Sequence, residues 1–220
     1  PPIKGPVPMM IRNSLEYLRT NIIKERITKP TDDERSLKVF NYPFQALEEA
    51  VVNALYHRDY KEREPVEITI EPDRISILSY SGPDRSISLE SLKEANMLRS
   101  RRYRNRRLGD FLKELDLTEG RATGIPTIQK KLRENGSPKA TIETDDSRSY
   151  FLIDIPARKD FVQDADKIRE SDIERIKLNV SKMCPRYVHE RIRLIGNLST
   201  ESSGRNFCSG HAEWYRPGFF

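Results

Sequence analysis

Tyr42-Pro-Phe-Gln-Ala-Leu-Glu-Glu-Ala-Val-Val-Asn-Ala-Leu-Tyr-His57 is the stretch whose reading decides the fold of this chain. Pro43 suits the first position of a helix, and Leu47, Ala50, Val51, Ala54 and Leu55 recur at helical spacing to fill one face. Glu49, Asn53 and His57 stand at i, i+4 and i+8, a single stripe along the edge of that apolar arc. A carboxylate and an amide one turn apart, at the margin of a buried face, can point together into a pocket. There the carboxylate could activate a water, and the amide oxygen could coordinate a hard metal ion or orient a phosphate. On spacing alone the commoner reading is a solvated acid beside an amide that bonds a neighbouring loop, because such pairs are frequent on helix faces.

Working outward, residues 1–8 are rich in proline and read as an extended lead-in. Ile11, Leu15, Leu18 and Ile22 predict an amphipathic helix that ends before Lys29-Pro30, and Leu37-Lys-Val-Phe40 reads as a strand. Downstream, Val66-Glu-Ile-Thr-Ile70 and Ile75-Ser-Ile-Leu78 alternate with period two around Pro72-Asp73, a hairpin signal. Residues 79–86 form a loop. Leu108, Phe111, Leu112 and Leu115 mark one further helix, and Ile125, Ile128 and Leu132 another, closed by Asn135-Gly136. A last hairpin pairs residues 139–144 with 149–155, and Pro156 ends it. The expected fold class is α+β, a two-layer α/β sandwich whose mixed, mostly antiparallel sheet carries helices on one face. The expected domain runs over residues 1–157. Residues 158–220 are expected as a small helical segment, on the stripe Ile173, Ile176, Val180 and Met183 and the pattern Val188, Ile192 and Ile195, with an irregular tail from residue 196.

The chain has 220 residues, 39 Lys and Arg against 34 Asp and Glu, a net charge of +5, and 36% hydrophobic and 33% charged residues. That is polar for a globular protein without being disordered overall. No stretch approaches the ~20 apolar residues of a membrane-spanning helix, so no membrane partner is expected. Two cysteines cannot frame a disulfide scaffold, which points to a reducing, cytoplasmic setting. The chain opens on Pro1 with no signal peptide and reads as a piece of something longer. Its positive charge is local. Arg99, Arg101, Arg102, Arg104, Arg106 and Arg107 put six arginines in nine residues, with Tyr103 and Asn105 among them and no acid. Elsewhere 33 basic residues face 34 acidic ones. Such a run suits phosphates, of a nucleotide or of a DNA backbone with Tyr103 stacked on a base. A solvated loop is the third reading, and charge pattern alone does not separate the three.

Glu49-Ala-Val-Val-Asn53-Ala-Leu-Tyr-His57-Arg58-Asp59-Tyr60, preceded by Tyr42-Pro43 and Ala46-Leu47, resembles the E-x-x-x-N box of one family. It is the C-terminal ATPase-like domain of RecG-related transcriptional regulators, labelled as ATP-dependent DNA helicase-related proteins. These are distant relatives of the gyrase, histidine-kinase and MutL (GHKL) ATPases. Three more blocks follow in matching order: Ile77-Leu-Ser-Tyr-Ser-Gly-Pro83, Asn105-Arg-Arg-Leu-Gly-Asp110 and Arg121-Ala-Thr-Gly-Ile125. The resemblance covers about residues 8–157.

The resemblance implies the GHKL type of sandwich, with ATP and Mg²⁺ as ligands. It makes Glu49 the general base for water and Asn53 the Mg²⁺ ligand, with His57 and Arg58 beside them. Ser79, Ser81, Gly82 and Asp84 fall in the loop that replaces the D-x-G-x-G adenine loop. Gly120, Thr123 and Gly124 fall in the second glycine box, where backbone amides at a helix N-terminus approach phosphates. Arg101 and Arg102 lie where the superfamily has its ATP lid. Two departures weigh against hydrolysis: no aspartate stands where the exocyclic amine of adenine would be read, and the second box holds only two glycines. A helicase motor is not expected, for no G-x-x-x-x-G-K-[ST] loop occurs. His57-Arg58-Asp59 is not a kinase catalytic loop, because residues 60–65 offer no Asn and no D-F-G follows. Cys184, His189, Cys208 and His211 match no common finger spacing, so zinc is not expected. The helices read over 167–195 are also compatible with a partial winged helix bearing Arg186, Arg191 and Arg193. The leading expectation is therefore a nucleotide-binding module. The alternative is a DNA-binding or dimerisation module, with a homodimer as partner, that has lost its nucleotide.

Overall fold

Alternation along Val66–Ile70 places Val66, Ile68 and Ile70 on one side and Glu67 and Thr69 on the other. In the computed structural model, which describes residues 2–28, 37–94, 103–117, 124–162 and 173–179, this segment is a central strand. The element order is β1 (Pro2–Lys4), α1 (Val7–Tyr17) with a π-turn over Leu18–Ile22, β2 (Glu25–Thr28), β3 (Leu37–Phe40) and α2 (Phe44–His57). Then come β4 (Val66–Ile70), β5 (Arg74–Tyr80), α3 (Leu89–Glu94), α4 (Arg106–Glu114) and α5 (Gly124–Asn135). β6 (Thr141–Glu143), β7 (Tyr150–Pro156), a short 3-10 turn over Lys159–Phe161 and β8 (Glu174–Asn179) complete it. Six strands form one sheet in the order β1-β8-β4-β5-β7-β6, every pair antiparallel except β1 with β8. β2 and β3 make a separate antiparallel ribbon.

The core lies between this sheet and the helices. Val66, Ile68, Ile75, Ile77, Ile153, Ile155, Ile176 and Leu178 point inward from the sheet to meet α1 and α2. Their outward neighbours Glu67, Ser76 and Asp154 are half-buried, and Arg175 and Lys177 are exposed. The expected sandwich and both expected hairpins are therefore present. β4 and β5 turn where Glu71 N–H donates to the Arg74 carbonyl (2.9 Å). Gly136 closes α5 with a left-handed φ of 72°, as its place after Asn135 predicts. Among the described residues no helix is long and apolar enough to cross a membrane.

Three local expectations need correction. Residues 174–179 are a strand and not part of a helix. Ile176 and Leu178 alternate with Arg175 and Lys177, and pairing with β4 buries them opposite Ile68 and Val66. Burial against two sheet neighbours outweighs the helical spacing of Ile173, Ile176 and Val180. The sheet thus takes in residues beyond the boundary expected at 157. Residues 2–4 are a strand paired to β8 rather than a free lead-in. Residues 25–28, which the expected helix ending before Lys29-Pro30 would take in, are instead a strand that forms the ribbon with 37–40. The rest of the helices read over 167–195 (residues 167–172 and 180–195), the irregular tail, the cysteines and the histidines 189 and 211 lie outside the described residues.

A large-to-small change discriminates strand from helix in β8, which lies between β1 and β4. Leu178→Ala, off the helical stripe but buried in the strand, should lower the unfolding free energy by about 2–4 kcal/mol, whereas Lys177→Ala should stay within about 0.5 kcal/mol. Urea titrations followed by circular dichroism measure both.

Candidate functional site

α2 is buried over most of its circumference. Ala46, Leu47, Ala50, Val51, Val52, Ala54, Leu55 and Tyr56 are all inaccessible. Val52 and Tyr56 lie on the far side of the Glu49–Asn53 stripe from Ala46 and Ala50, so buried residues flank that stripe on both sides. Glu49 and Asn53 are half-buried. In such surroundings a polar group needs a partner, since leaving one unsatisfied costs about 1–3 kcal/mol. Asn53 Nδ2 donates to Glu49 Oε1 (3.2 Å). That bond uses the nitrogen end of the amide, and the Asn53 oxygen takes no part in it.

The first residue of α5 closes over this pair. A Cβ built on Gly124 would collide with Asn53 Nδ2 and stand 2.9 Å from Glu49 Oε1. Only a glycine lets the start of α5 come this near. Glu49, Asn53 and Gly124, singled out separately in the sequence, therefore meet at one point. Gly120, Thr123, Arg101 and Arg102 lie outside the described residues, as do Arg99 and Arg121.

The Ser79–Asp84 segment is placed differently. Ser79 is buried at the end of β5, on the same side of the sheet as Ile75 and Ile77 and therefore toward the helices. Gly82 is fixed by packing: its N–H donates to the Arg148 carbonyl (2.8 Å), and a Cβ there would stand 2.7 Å from the Tyr150 carbonyl oxygen. Ser81 is half-buried beside it. Asp84 caps its own turn, accepting from the Ser86 N–H (2.9 Å).

The C-terminal end of α2 gathers a second set of residues. Arg58 is 4% exposed. It does not reach along the stripe toward Asn53: its Nη2 donates to the carbonyls of Glu62 (3.1 Å) and Glu64, and its guanidinium lies 5.4 Å from the Tyr60 ring. Burial lowers its pKa from the ordinary arginine value. Tyr103 stacks on Tyr56 (5.9 Å, 10° between planes) and on His57 (6.1 Å), so its ring is already engaged within the protein. Arg104 Nη1 donates to the His57 carbonyl (2.7 Å). Asn105 Nδ2 donates to the carbonyls of Tyr56 (2.8 Å) and Arg58 (2.7 Å). His57 as a residue is exposed, yet desolvation by its surroundings and the nearby Arg104 charge hold its pKa below the usual imidazole range. Sequence reading missed the part played by Asn105. Its position just before a helix signals a local cap of α4, but α4 has no side-chain cap bond and the Asn105 amide is turned to α2 instead.

With this geometry in hand, comparison with known proteins agrees with the fold. Residues 64–153 match a family model described as "Putative ATP-dependent DNA helicase recG C-terminal". The match begins after α2, so Glu49 and Asn53 rest on their own geometry. Among solved structures, the DIP2311 protein from Corynebacterium diphtheriae superimposes with a TM-score of 0.54 over 66% of this chain at 23% identity. The likeness is one of fold, and it spans only 29% of that protein's length. No curated protein matches the sequence.

Two outcomes follow from these contacts. Gly124→Ala, a change that ordinarily favours a helix, should instead destabilise by about 1–3 kcal/mol, because Asn53 and Glu49 must move aside. Thermal unfolding of the purified variant measures it. For His57, the folded state takes up a proton less readily than the unfolded chain, so stability is complete above the ordinary imidazole pKa. It should decline as pH falls from there toward about 4. Proton NMR titration of the His57 ring should give a midpoint below the ordinary imidazole value, and His57→Gln should remove that part of the acid loss.

Proposed function

We propose that this chain binds a magnesium–nucleotide, ATP in the first instance, at the junction of α2 and α5. The observation that carries this reading is the meeting of Glu49, Asn53 and Gly124. It brings a carboxylate, an amide and the amide-rich start of a helix to one place. The donor set suits the cation: carboxylate and amide oxygens are hard ligands. Among the described residues no group of three His, Cys, Asp or Glu side chains could hold a metal by itself. A Mg²⁺ here would need phosphate oxygens and waters to complete its shell, which is its usual manner of binding with nucleotides.

In this reading Asn53 presents its amide oxygen to the cation, and Glu49 is the base that orients or deprotonates a water. Mg²⁺, when bound, neutralises charge on the phosphate oxygens. Gly124, with Gly120 and Thr123, offers backbone N–H groups to the phosphates at the start of α5. Arg101 and Arg102, in the arginine run, are the candidate lid residues over the phosphates. Ser79, Ser81 and Gly82 border the base, where a hydroxyl stands in place of the adenine-reading aspartate. His57 lies a turn beyond Asn53. Arg58, spent on the 62–64 carbonyls, supports the end of α2. No aspartate stands in the adenine loop and the second box holds two glycines, so binding without appreciable turnover is the expected behaviour. The wider setting is a RecG-related transcriptional regulator in the cytoplasm.

Isothermal calorimetry with Mg-ATP tests this. Binding heat should appear for the wild type and disappear in Asn53→Ala, with Glu49→Gln retaining affinity. Absence of heat at millimolar nucleotide would sink the proposal.

A further inference from the structure

We infer that Asn105 is a positioning residue for Asn53: it clamps the C-terminal end of α2 and so fixes where the Asn53 amide stands. The inference rests on the nucleotide reading above and extends it to a residue some fifty positions away in the chain.

The last carbonyls of an α-helix have no partner within the helix. α2 lacks the usual local remedy, because no glycine follows it and Arg58 is extended (φ −53°, ψ 146°). Its end is nonetheless buried, with Leu55 and Tyr56 inaccessible. The carbonyls find donors one by one. Tyr60 Oη serves Leu55 (2.6 Å), Arg104 Nη1 serves His57 (2.7 Å), and Asn105 Nδ2 serves both Tyr56 (2.8 Å) and Arg58 (2.7 Å). Asn105 thus bridges the last residue but one of α2 and the residue that leaves it.

This use of Asn105 competes with another. Asparagine just before a helix is among the best N-caps, worth about 1 kcal/mol. α4 forgoes that bond. The side chain is held in its alternative place by its neighbours: Tyr103 stacks on Tyr56, and Gly109 lies so close to the Tyr56 hydroxyl that no Cβ would fit. The chain then runs through α4 and returns at Gly124 to abut Asn53 and Glu49. One segment therefore grips α2 at two places, at its last turn and at its polar pair.

The route from clamp to Asn53 is short. In helical geometry the His57 N–H bonds the Asn53 carbonyl, four residues back. If the Tyr56 and Arg58 carbonyls lose their donor, the last turn frays, that bond goes with it, and Asn53 loses its fixed backbone.

Asn105→Asp separates clamp from cap. Aspartate caps α4 as well as asparagine does, but it has no N–H to give and sets a carboxylate against two carbonyl oxygens. As a control, Ser76→Ala removes a hydrogen bond to Asp154 (2.6 Å) on the opposite, outward face of the sheet. The first readout needs no ligand: the side-chain amide signal of Asn53, identified by its loss in Asn53→Ala, is followed by ¹⁵N NMR. It should move in Asn105→Asp and stay in place in Ser76→Ala. The second is calorimetry with ATP, with and without Mg²⁺. Asn105→Asp should lose about tenfold in Mg-dependent affinity and little in Mg-free affinity, a split that general destabilisation would not produce. An Asn53 signal unmoved by Asn105→Asp, or an equal loss with and without Mg²⁺, overturns the clamp. A wild type that binds no Mg-ATP, with the Asn53 signal still moved, overturns the nucleotide reading instead.

Discussion

A helix buried over most of its surface can rely on water at few points along its length. That constraint on α2 organises the structure around it. Its apolar residues press on the sheet and on α1 and α5, which leaves Glu49 and Asn53 enclosed between buried neighbours. Each of the two half-buried polar groups then finds a partner in the other. A surface acid beside a loop-bound amide, the commoner meaning of this spacing, would need the stripe to face solvent.

Both ends of α2 obey the same constraint by means of residues distant in sequence. At the start, Asn41 is 6% exposed and engaged at both ends of its amide: its Oδ1 accepts from the Lys24 N–H (2.7 Å) and the Tyr42 N–H (3.0 Å), and its Nδ2 donates to the Ile22 carbonyl (2.9 Å). Asn135 Nδ2 donates to the Phe40 carbonyl (2.8 Å), and the Arg158 N–H donates to the Asn41 carbonyl (2.9 Å). At the finish stand Tyr60, Arg104 and Asn105. Asparagine recurs because its amide both donates and accepts in a small volume. α2 is thereby held at both ends by residues from other parts of the chain.

How much of this was legible in the sequence depends on whether the signal was local. Hairpins β4–β5 and β6–β7 announce themselves by alternation next to turn residues, and α2 and α5 by apolar spacing. β8 does not, because Ile173, Ile176 and Val180 also fit a helix and only pairing with β4 and β1 decides the matter. Helix geometry alone sets Glu49 beside Asn53, but the bond between them depends on the burial around α2. Its closure by Gly124 was accessible only through the order of motif blocks, since nothing within either segment marks the other. Asn105 was misleading in a specific way: its local signal is a helix cap, and the tertiary demand of α2 overrides it.

The glycines sharpen the same point. A glycine in a phosphate-binding motif invites a single explanation, that bare backbone must approach a ligand. Here Gly82 and Gly109 have another sufficient cause. One packs on the Tyr150 carbonyl and the other on the Tyr56 hydroxyl, so the fold alone requires them to be small. Neither needs a left-handed backbone, since among the described glycines only Gly5 and Gly136 have positive φ. Gly124 differs in what it touches: not the scaffold but the polar atoms of Asn53 and Glu49. A glycine retained only for packing would be expected against carbonyls or apolar surface. One placed against a carboxylate and an amide instead sets how near the start of α5 comes to that polar pair, a distance that neither segment fixes by itself.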